Sequence, residues 1–268
     1  MRLPPAFVAD LLVQLQPLCA SKGFIKTHDL DALIGRVGRV AYVVPAAKPF
    51  VAGLWAGLAE TKAAMAAGNR GAPPGKIPCR RLCHAASWIR ALLAEDESCP
   101  LPLERLVTPA HTRPSHGGWV IEFDASIYGG GALLRDGAGH VVEYFSVVWT
   151  GGEARHLKVV PDDTRFQSFW EFSTLLLALC TWGDSFVDEK VSVLGDNTSA
   201  LSDALALSGK GIMNSVAREI SWRQSRRRWA FDVGHLPSEY NVVADALSRI
   251  ADPKGCAWPS QAFPLQLL

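Results

Sequence analysis

The sequence has few cysteines, and none of its apolar runs is long enough to leave water. Its six cysteines (Cys19, Cys79, Cys83, Cys99, Cys180 and Cys256) are scattered without paired spacing. That excludes a disulfide-stapled scaffold and points to a reducing, intracellular setting, with cytoplasm and nucleus not distinguished. The longest apolar run, Leu175 to Cys180, falls far short of the roughly 18 residues that a membrane span needs, so no membrane partner is expected. The N-terminus, interrupted by Asp10 and Gln14, lacks an apolar core followed by a cleavage site and does not read as a secretion signal. An excess of one charge is missing too: 27 Lys and Arg stand against 26 Asp and Glu, for a net charge of +1. Attraction to nucleic acid must therefore come from a local patch. No internal repeat or low-complexity tract is visible. What is present, 49% apolar and 20% charged over 268 residues, suits one large domain or two small ones with a buried core.

Two Pro/Gly-rich stretches, residues 67–78 and 99–118, interrupt the pattern, because neither residue type continues a helix well. Before the first, Leu30, Leu33, Ile34, Val37, Val40 and Ala41 recur at helical spacing, with Thr27 as the expected cap. Leu82 to Leu93 predicts a second amphipathic helix. After Gly118 the period changes. Residues 119–126 read as a strand, and 129–149 as a hairpin turning at Asp136-Gly137. A long helix is expected over 164–182, with Phe169, Phe172, Leu175, Leu176 and Leu179 on one face. A strand at 191–196, helices near 198–207 and 211–224, a strand at 228–236 and a helix at 241–250 complete the reading. Strands in succession, then strands alternating with helices, indicate an α/β fold with a mixed sheet.

Acidic residues sit at the ends of these elements. Asp124 ends the first strand, Glu171 lies about two turns into the long helix, Asp196 ends the fourth strand, and Asp245 is near the start of the last helix. If the first and fourth strands are parallel neighbours, Asp124 and Asp196 leave the same edge of the sheet and can meet the two helical acids. Carboxylates gathered this way repel unless cations neutralise them, and an all-oxygen set suits Mg²⁺ or Mn²⁺. Spacing alone leaves another reading open, in which each Asp at a strand end is a turn former or helix cap. Asp196, followed by Asn197-Thr198, fits that pattern well.

The motifs FDAS (123–126), GGGALL (129–134), the Glu171 helix, GDNTSAL (195–201) and GHLPSEYNVVADALSR (234–249) follow one another in a telling order. In that order they resemble a ribonuclease H domain, and the last is closest to that of retrotransposon reverse transcriptases of the gypsy and DIRS-like types. The resemblance covers roughly residues 118–252. It implies a ribonuclease H-like fold with a five-stranded mixed sheet flanked by helices. It also implies that Asp124, Glu171, Asp196 and Asp245 hold two Mg²⁺, with Mn²⁺ able to substitute, and that His235 is the loop histidine of the catalytic set. Ser126, Asn197 and Asn241, which stand beside these acids, are expected to contact nucleic acid. Glu171 is the hardest to fix in sequence, because Glu153, Asp162 and Asp163 lie just upstream. Residues 30–58 and 80–93 resemble the thumb-to-connection region of the same reverse transcriptases. The expected layout is thus a helical region (1–95), a Pro-rich linker (96–117), the ribonuclease H-like domain (118–252) and a tail (253–268).

Residues 210–231 hold Lys210, Arg218, Arg223, Arg226, Arg227 and Arg228 against one acid, Glu219. The arginines Arg223, Arg226, Arg227 and Arg228 are expected to follow a nucleic-acid backbone, and Trp222 and Trp229 to lie in the core. Cys79-x-x-x-Cys83-His84 lacks a second ligand pair and does not read as a metal knuckle. FVDE (186–189) mimics a polymerase motif but ends in Glu and lies in a loop, so the chain alone is not expected to polymerise. The implied activity is metal-dependent hydrolysis of the RNA strand of an RNA–DNA hybrid, with the polymerase portion of the same polyprotein as a further partner. The alternative is a catalytically silent, hybrid-binding or structural module from a decayed retroelement.

Overall fold

Alternating apolar residues in residues 120–148 form three consecutive antiparallel strands, to which later segments add two parallel ones. The computed structural model describes residues 2–68, 72–94, 103, 118–157, 159–160, 163–186, 189–227, 229–255 and 258. The chain divides into two units, residues 1–112 with 221–226 and residues 113–220 with 227–268. Most of the Pro-rich segment 96–117, most of the tail 253–268, Cys99, Cys256, Asp162, Arg228 and the centre of FVDE lie outside the described residues.

The first unit contains α1 (Pro5–Cys19), β1 (Phe24–Lys26), α2 (Thr27–Val43), α3 (Lys48–Ala66), β2 (Lys76–Pro78) and α4 (Cys83–Leu93). Its core joins Leu11, Leu15 and Leu18 to the α2 stripe Leu30, Leu33, Ile34, Val37 and Val40, and to Phe50, Leu54, Ile89 and Leu92. Phe50 and Trp88 stack with centroids 3.7 Å apart. One expectation is corrected here. Thr27 is the first residue of α2 rather than its cap, and its hydroxyl donates to the Gly75 carbonyl at 3.0 Å. The helix start is held instead by the β1–β2 ribbon, in which Ile25 pairs with Ile77.

The second unit contains β3 (Val120–Ala125), β4 (Gly129–Arg135), β5 (Val141–Val148), α5 (Gly151–Leu157), α6 (Gln167–Trp182), β6 (Lys190–Gly195), α7 (Thr198–Ala206), β7 (Ala230–His235), α9 (Val242–Ser248) and α8 (Met213–Arg227) apart from its residues 221–226, which fall in the first unit. The sheet order is β5-β4-β3-β6-β7, antiparallel across the first three strands and parallel across the last three. The hairpin turn spans residues 136–140, and the left-handed position belongs to Gly139 (φ 86°), not to Gly137. Gly139 supplies this conformation without the steric cost of a side chain. α6 buries Phe169, Phe172, Leu175 and Leu179 in a core with Ile121, Phe123, Val191 and Val193. Burial of each such side chain is worth about 1.5–3 kcal/mol.

Glycines at the start of β4 admit a helix on each face. A Cβ at Gly130 would lie 2.3 Å from the hydroxyl of Thr174 on α6. On the opposite face, a Cβ at Gly131 would lie 2.4 Å from Leu247 Cβ and 2.7 Å from the Ser248 backbone nitrogen, both on α9. The absence of side chains here lets α9 sit directly on β4 and brings its acidic first turn to the end of β3.

Candidate active site

Parallel pairing of β3 with β6, Glu122 opposite Leu194, places the C-terminal ends of both strands at one edge of the sheet. Asp124 stands near the end of β3, and Asp196 directly follows the last residue of β6. Glu171 enters from the second turn of α6. Each of the three acids offers an oxygen, and the three oxygens lie within 4.8 Å of one another. This is the only such cluster of acidic, cysteine or histidine ligands among the described residues. Gly195 permits the approach, because a Cβ there would press into the Phe123 ring at 2.9 Å.

Asp124 (5% exposed) and Glu171 (2%) are buried, and Asp196 is half-buried. Burial pushes the Asp124 carboxyl up to about 7; repulsion from Asp196 and Asp245 adds to this, while a Ser248 hydrogen bond and the Arg249 charge oppose it. Burial pushes Glu171 up to about 9, with repulsion from Asp124 and Asp196 adding to it and the Gln167 hydrogen bond opposing it.

Each acid has a protein donor on one oxygen. Ser248 Oγ donates to Asp124 Oδ2 at 2.7 Å, and Gln167 Nε2 to Glu171 Oε1 at 3.1 Å. Ser238 Oγ donates to Asp196 Oδ2 at 2.7 Å, and Arg249 Nε to Asp245 Oδ1 at 2.6 Å. Sequence reasoning did not single out Ser248, Gln167, Ser238 or Arg249 as site residues. Asp245 influences Asp124 electrostatically but stands outside the cluster of three, paired with Arg249.

The second oxygen of Glu171, Oε2, is buried with no hydrogen-bond partner. A buried carboxylate oxygen left this way is costly unless a cation or proton meets it. An all-carboxylate, oxygen-only set with an orphaned buried oxygen fits a hard divalent cation such as Mg²⁺ or Mn²⁺.

The remaining expected residues divide. His235 is exposed at the end of β7, with its Cα paired to that of Gly195, one residue before Asp196. Asn197 caps α7, its Oδ1 accepting from the Ser199 and Ala200 amides at 3.1 and 3.0 Å. Ser126 and Asn241, expected at a nucleic-acid surface, have internal roles instead. Ser126 Oγ donates to the Ser248 carbonyl at 2.7 Å and accepts from the Tyr128 and Gly129 amides. Asn241, 1% exposed, donates from Nδ2 to the Phe123 carbonyl at 3.0 Å, which fastens the start of α9 to β3. Ser126 thus spends its hydroxyl on backbone groups, whereas Asn241 uses only Nδ2, its Oδ1 being buried with no hydrogen-bond partner.

Among the arginines, Arg223 is half-buried, and the Arg226 guanidinium lies 4.8 Å from the centroid of the Trp222 ring. Arg227 Nε donates to Asp184 Oδ1 at 2.8 Å, and Arg228 lies outside the described residues. Trp229 is a core residue as expected, whereas Trp222, 39% exposed, is not. Cys79 is buried, and Cys83 Sγ contacts the Arg80 carbonyl at 3.4 Å.

No family model and no curated protein matches the chain. Solved structures do. LC11 ribonuclease H1, isolated from compost and solved with an RNA/DNA hybrid, is 20% identical over 48% of this chain and 92% of its own, with a TM-score of 0.38. Ribonuclease H1 of the halophilic archaeon Halobacterium salinarum is 18% identical over 50% of this chain and 96% of its own, with a TM-score of 0.34. A foamy viral protease–reverse transcriptase bound to double-stranded DNA is 15% identical over 84% of this chain and 34% of its own, with a TM-score of 0.31. The fold itself is read from the strands: the order β5-β4-β3-β6-β7, with antiparallel and then parallel pairing and helices on both faces, is the ribonuclease H-like architecture that the motifs imply.

Proposed function

We propose that residues 118–252 form a ribonuclease H domain that hydrolyses the RNA strand of an RNA–DNA hybrid with the help of divalent cations. In this reading residues 1–95 are the thumb-to-connection portion of a retrotransposon reverse transcriptase of gypsy or DIRS-like type. The rest of that polyprotein is then a partner. The observation that carries the proposal is the meeting of Asp124, Glu171 and Asp196, from two strand ends and a helix, with oxygens within 4.8 Å.

Asp124, Glu171 and Asp196 would hold the cation, and Asp245 would extend the set once its carboxylate turns from Arg249. A bound divalent cation supplies charge neutralisation at the phosphate and activation of water. Burial of Asp124 and Glu171 keeps water away from the ligands and strengthens every charge interaction among them. His235, exposed at the end of β7 with its Cα paired to Gly195, would move a proton to or from the leaving oxygen. Preference for RNA would rest on contacts to the 2′-hydroxyl, which DNA lacks. Arg223, Arg226, Arg227 and Arg228 would contribute backbone contacts whose strength falls with salt.

The test is incubation of the full chain with labelled hybrid, double-stranded RNA and double-stranded DNA, with Mg²⁺ or with EDTA. Cleavage confined to the RNA strand of the hybrid and stopped by EDTA is expected. Hybrid binding without cleavage in Mg²⁺ or Mn²⁺ would overturn the enzymatic reading in favour of a silent module.

A further inference from the structure

Of the donors that meet the four acids, the one on Asp124 is the most enclosed. Ser248, 1% exposed at the end of α9, places its Oγ 2.7 Å from Asp124 Oδ2 and 2.8 Å from the Asp245 carbonyl one turn back. Its own carbonyl accepts from Ser126 Oγ at 2.7 Å. The end of α9 is thereby tied at two points, to Asp124 on β3 and to Ser126 just after it. One tie is purely structural, and the other falls on a carboxylate of the candidate cation site.

An aspartate on a strand can turn about its side-chain bonds, and a turn of the carboxylate changes which oxygen faces a neighbour. With one lone pair of Asp124 Oδ2 taken by Ser248, Oδ1 is the oxygen with more capacity left for a ligand. The choice of a hydroxyl matters. A guanidinium in this place would neutralise the acid and compete for it, as Arg249 does at Asp245. Alanine would leave a buried oxygen without a donor. A small neutral donor fixes the carboxylate and leaves its charge for a cation.

Resting on the reading of Asp124, Glu171 and Asp196 as a cation site, we propose that Ser248 is a positioning residue: its hydroxyl fixes the Asp124 carboxylate so that Oδ1 is offered to a divalent cation. The last helix therefore belongs to the cation site through a neutral side chain as well as through Asp245. Partners of this kind, one shell out from the ligands, commonly change metal affinity by about 10–100-fold when removed.

The experiment is a calorimetric titration of the full chain with Mn²⁺, without substrate and at fixed pH. Melting temperatures are recorded in parallel. Ser248→Ala should weaken Mn²⁺ binding about tenfold or more. Ser248→Cys, which fills the same space with a poor donor and protects the fold, should weaken it similarly. Ser126→Ala, which removes the tie to the Ser248 carbonyl and the bonds from the Tyr128 and Gly129 amides but touches no acid, should lower the melting temperature and leave Mn²⁺ affinity unchanged. Native affinity in either Ser248 variant overturns the role of Ser248 and leaves the cation site standing. An equal loss in Ser126→Ala also overturns it, because affinity would then follow helix docking. Absence of saturable Mn²⁺ binding by the native chain overturns the cation site and the role of Ser248 together.

Discussion

Gly131 on β4 and Leu247 on α9 approach so closely that a Cβ added at 131 would lie 2.4 Å from the Leu247 Cβ. The same Cβ would meet the Ala244 carbonyl and the Ser248 nitrogen at 2.7 Å. These are backbone atoms of α9, which cannot yield as a flexible side chain would. Gly131→Ala should therefore lift α9, destabilising the domain by about 1–3 kcal/mol, the usual cost of overpacking. Because α9 carries Asp245 and Ser248, cleavage should fall as well. Chemical denaturation beside an activity assay checks this, and an alanine variant of native stability and rate would refute the packing argument.

Asp124→Asn should reduce hybrid cleavage by more than about a hundredfold, the scale of removing one well-placed electrostatic contact. The metal-free variant should be at least as stable as the native chain above neutral pH, since a buried charge facing Asp196 and Asp245 has been removed. Single-turnover rates and melting curves in EDTA test both halves. Undiminished cleavage by the folded variant would be incompatible with the assignment.

The acids also give the metal-free protein a pH dependence. Asp124 is raised from 3.8 to about 7 and Glu171 from 4.5 to about 9, so the folded state holds these protons more tightly than the unfolded chain. Their contribution to stability is complete below about pH 4 and is lost as pH rises through 7 towards 9. Melting temperatures in EDTA should therefore fall between mildly acidic and alkaline pH by more than in Asp124→Asn or Glu171→Gln. Saturating Mg²⁺ should suppress most of that fall, with protons released on binding. Calorimetry in two buffers of different ionisation enthalpy measures the release.

His235→Ala should lower turnover by roughly 10- to 100-fold, within the range of a general acid–base contribution. The Mg²⁺ concentration for half-maximal rate should not move, because His235 is absent from the acidic cluster. A shifted midpoint would make it a ligand instead, and an unchanged rate would make it a surface histidine.

The strands and the strand-end positions of Asp124 and Asp196 are legible in the sequence because their signals are local, whereas Glu171 is picked out among nearby acids only by the order of the motifs. Alternation marks β3, and a strand end followed by Asn197 marks the Asp196 turn. Parallel pairing of β3 with β6 is only a condition at the level of sequence, since two strands and two helices lie between them. What stays hidden depends on contacts across the chain. Ser248 and Asp124 are 124 residues apart, and Ser238 and Asp196 are 42 apart. Both serines lie inside the 234–249 motif, but nothing local shows which acid either one meets. Ser126 and Asn241 are polar residues near acids, and only the docking of α9 shows that both are buried, with Ser126 Oγ and Asn241 Nδ2 bonded to backbone carbonyls. α5 opens on two glycines and carries no periodic stripe, so nothing in the sequence marks it.

The central strand β3 acquires its neighbours at very different times. Its partner β4 follows after a short loop, β6 pairs with it about seventy residues later, and α9 comes last. On a ribosome the hairpin can form while the acidic cluster is still missing two of its three members. Asp124 receives its hydroxyl partner only after residue 248 has been made. In the proposed reading, a nascent chain is unable to cut nucleic acid until synthesis of the domain is nearly complete, a delay written into the strand order itself.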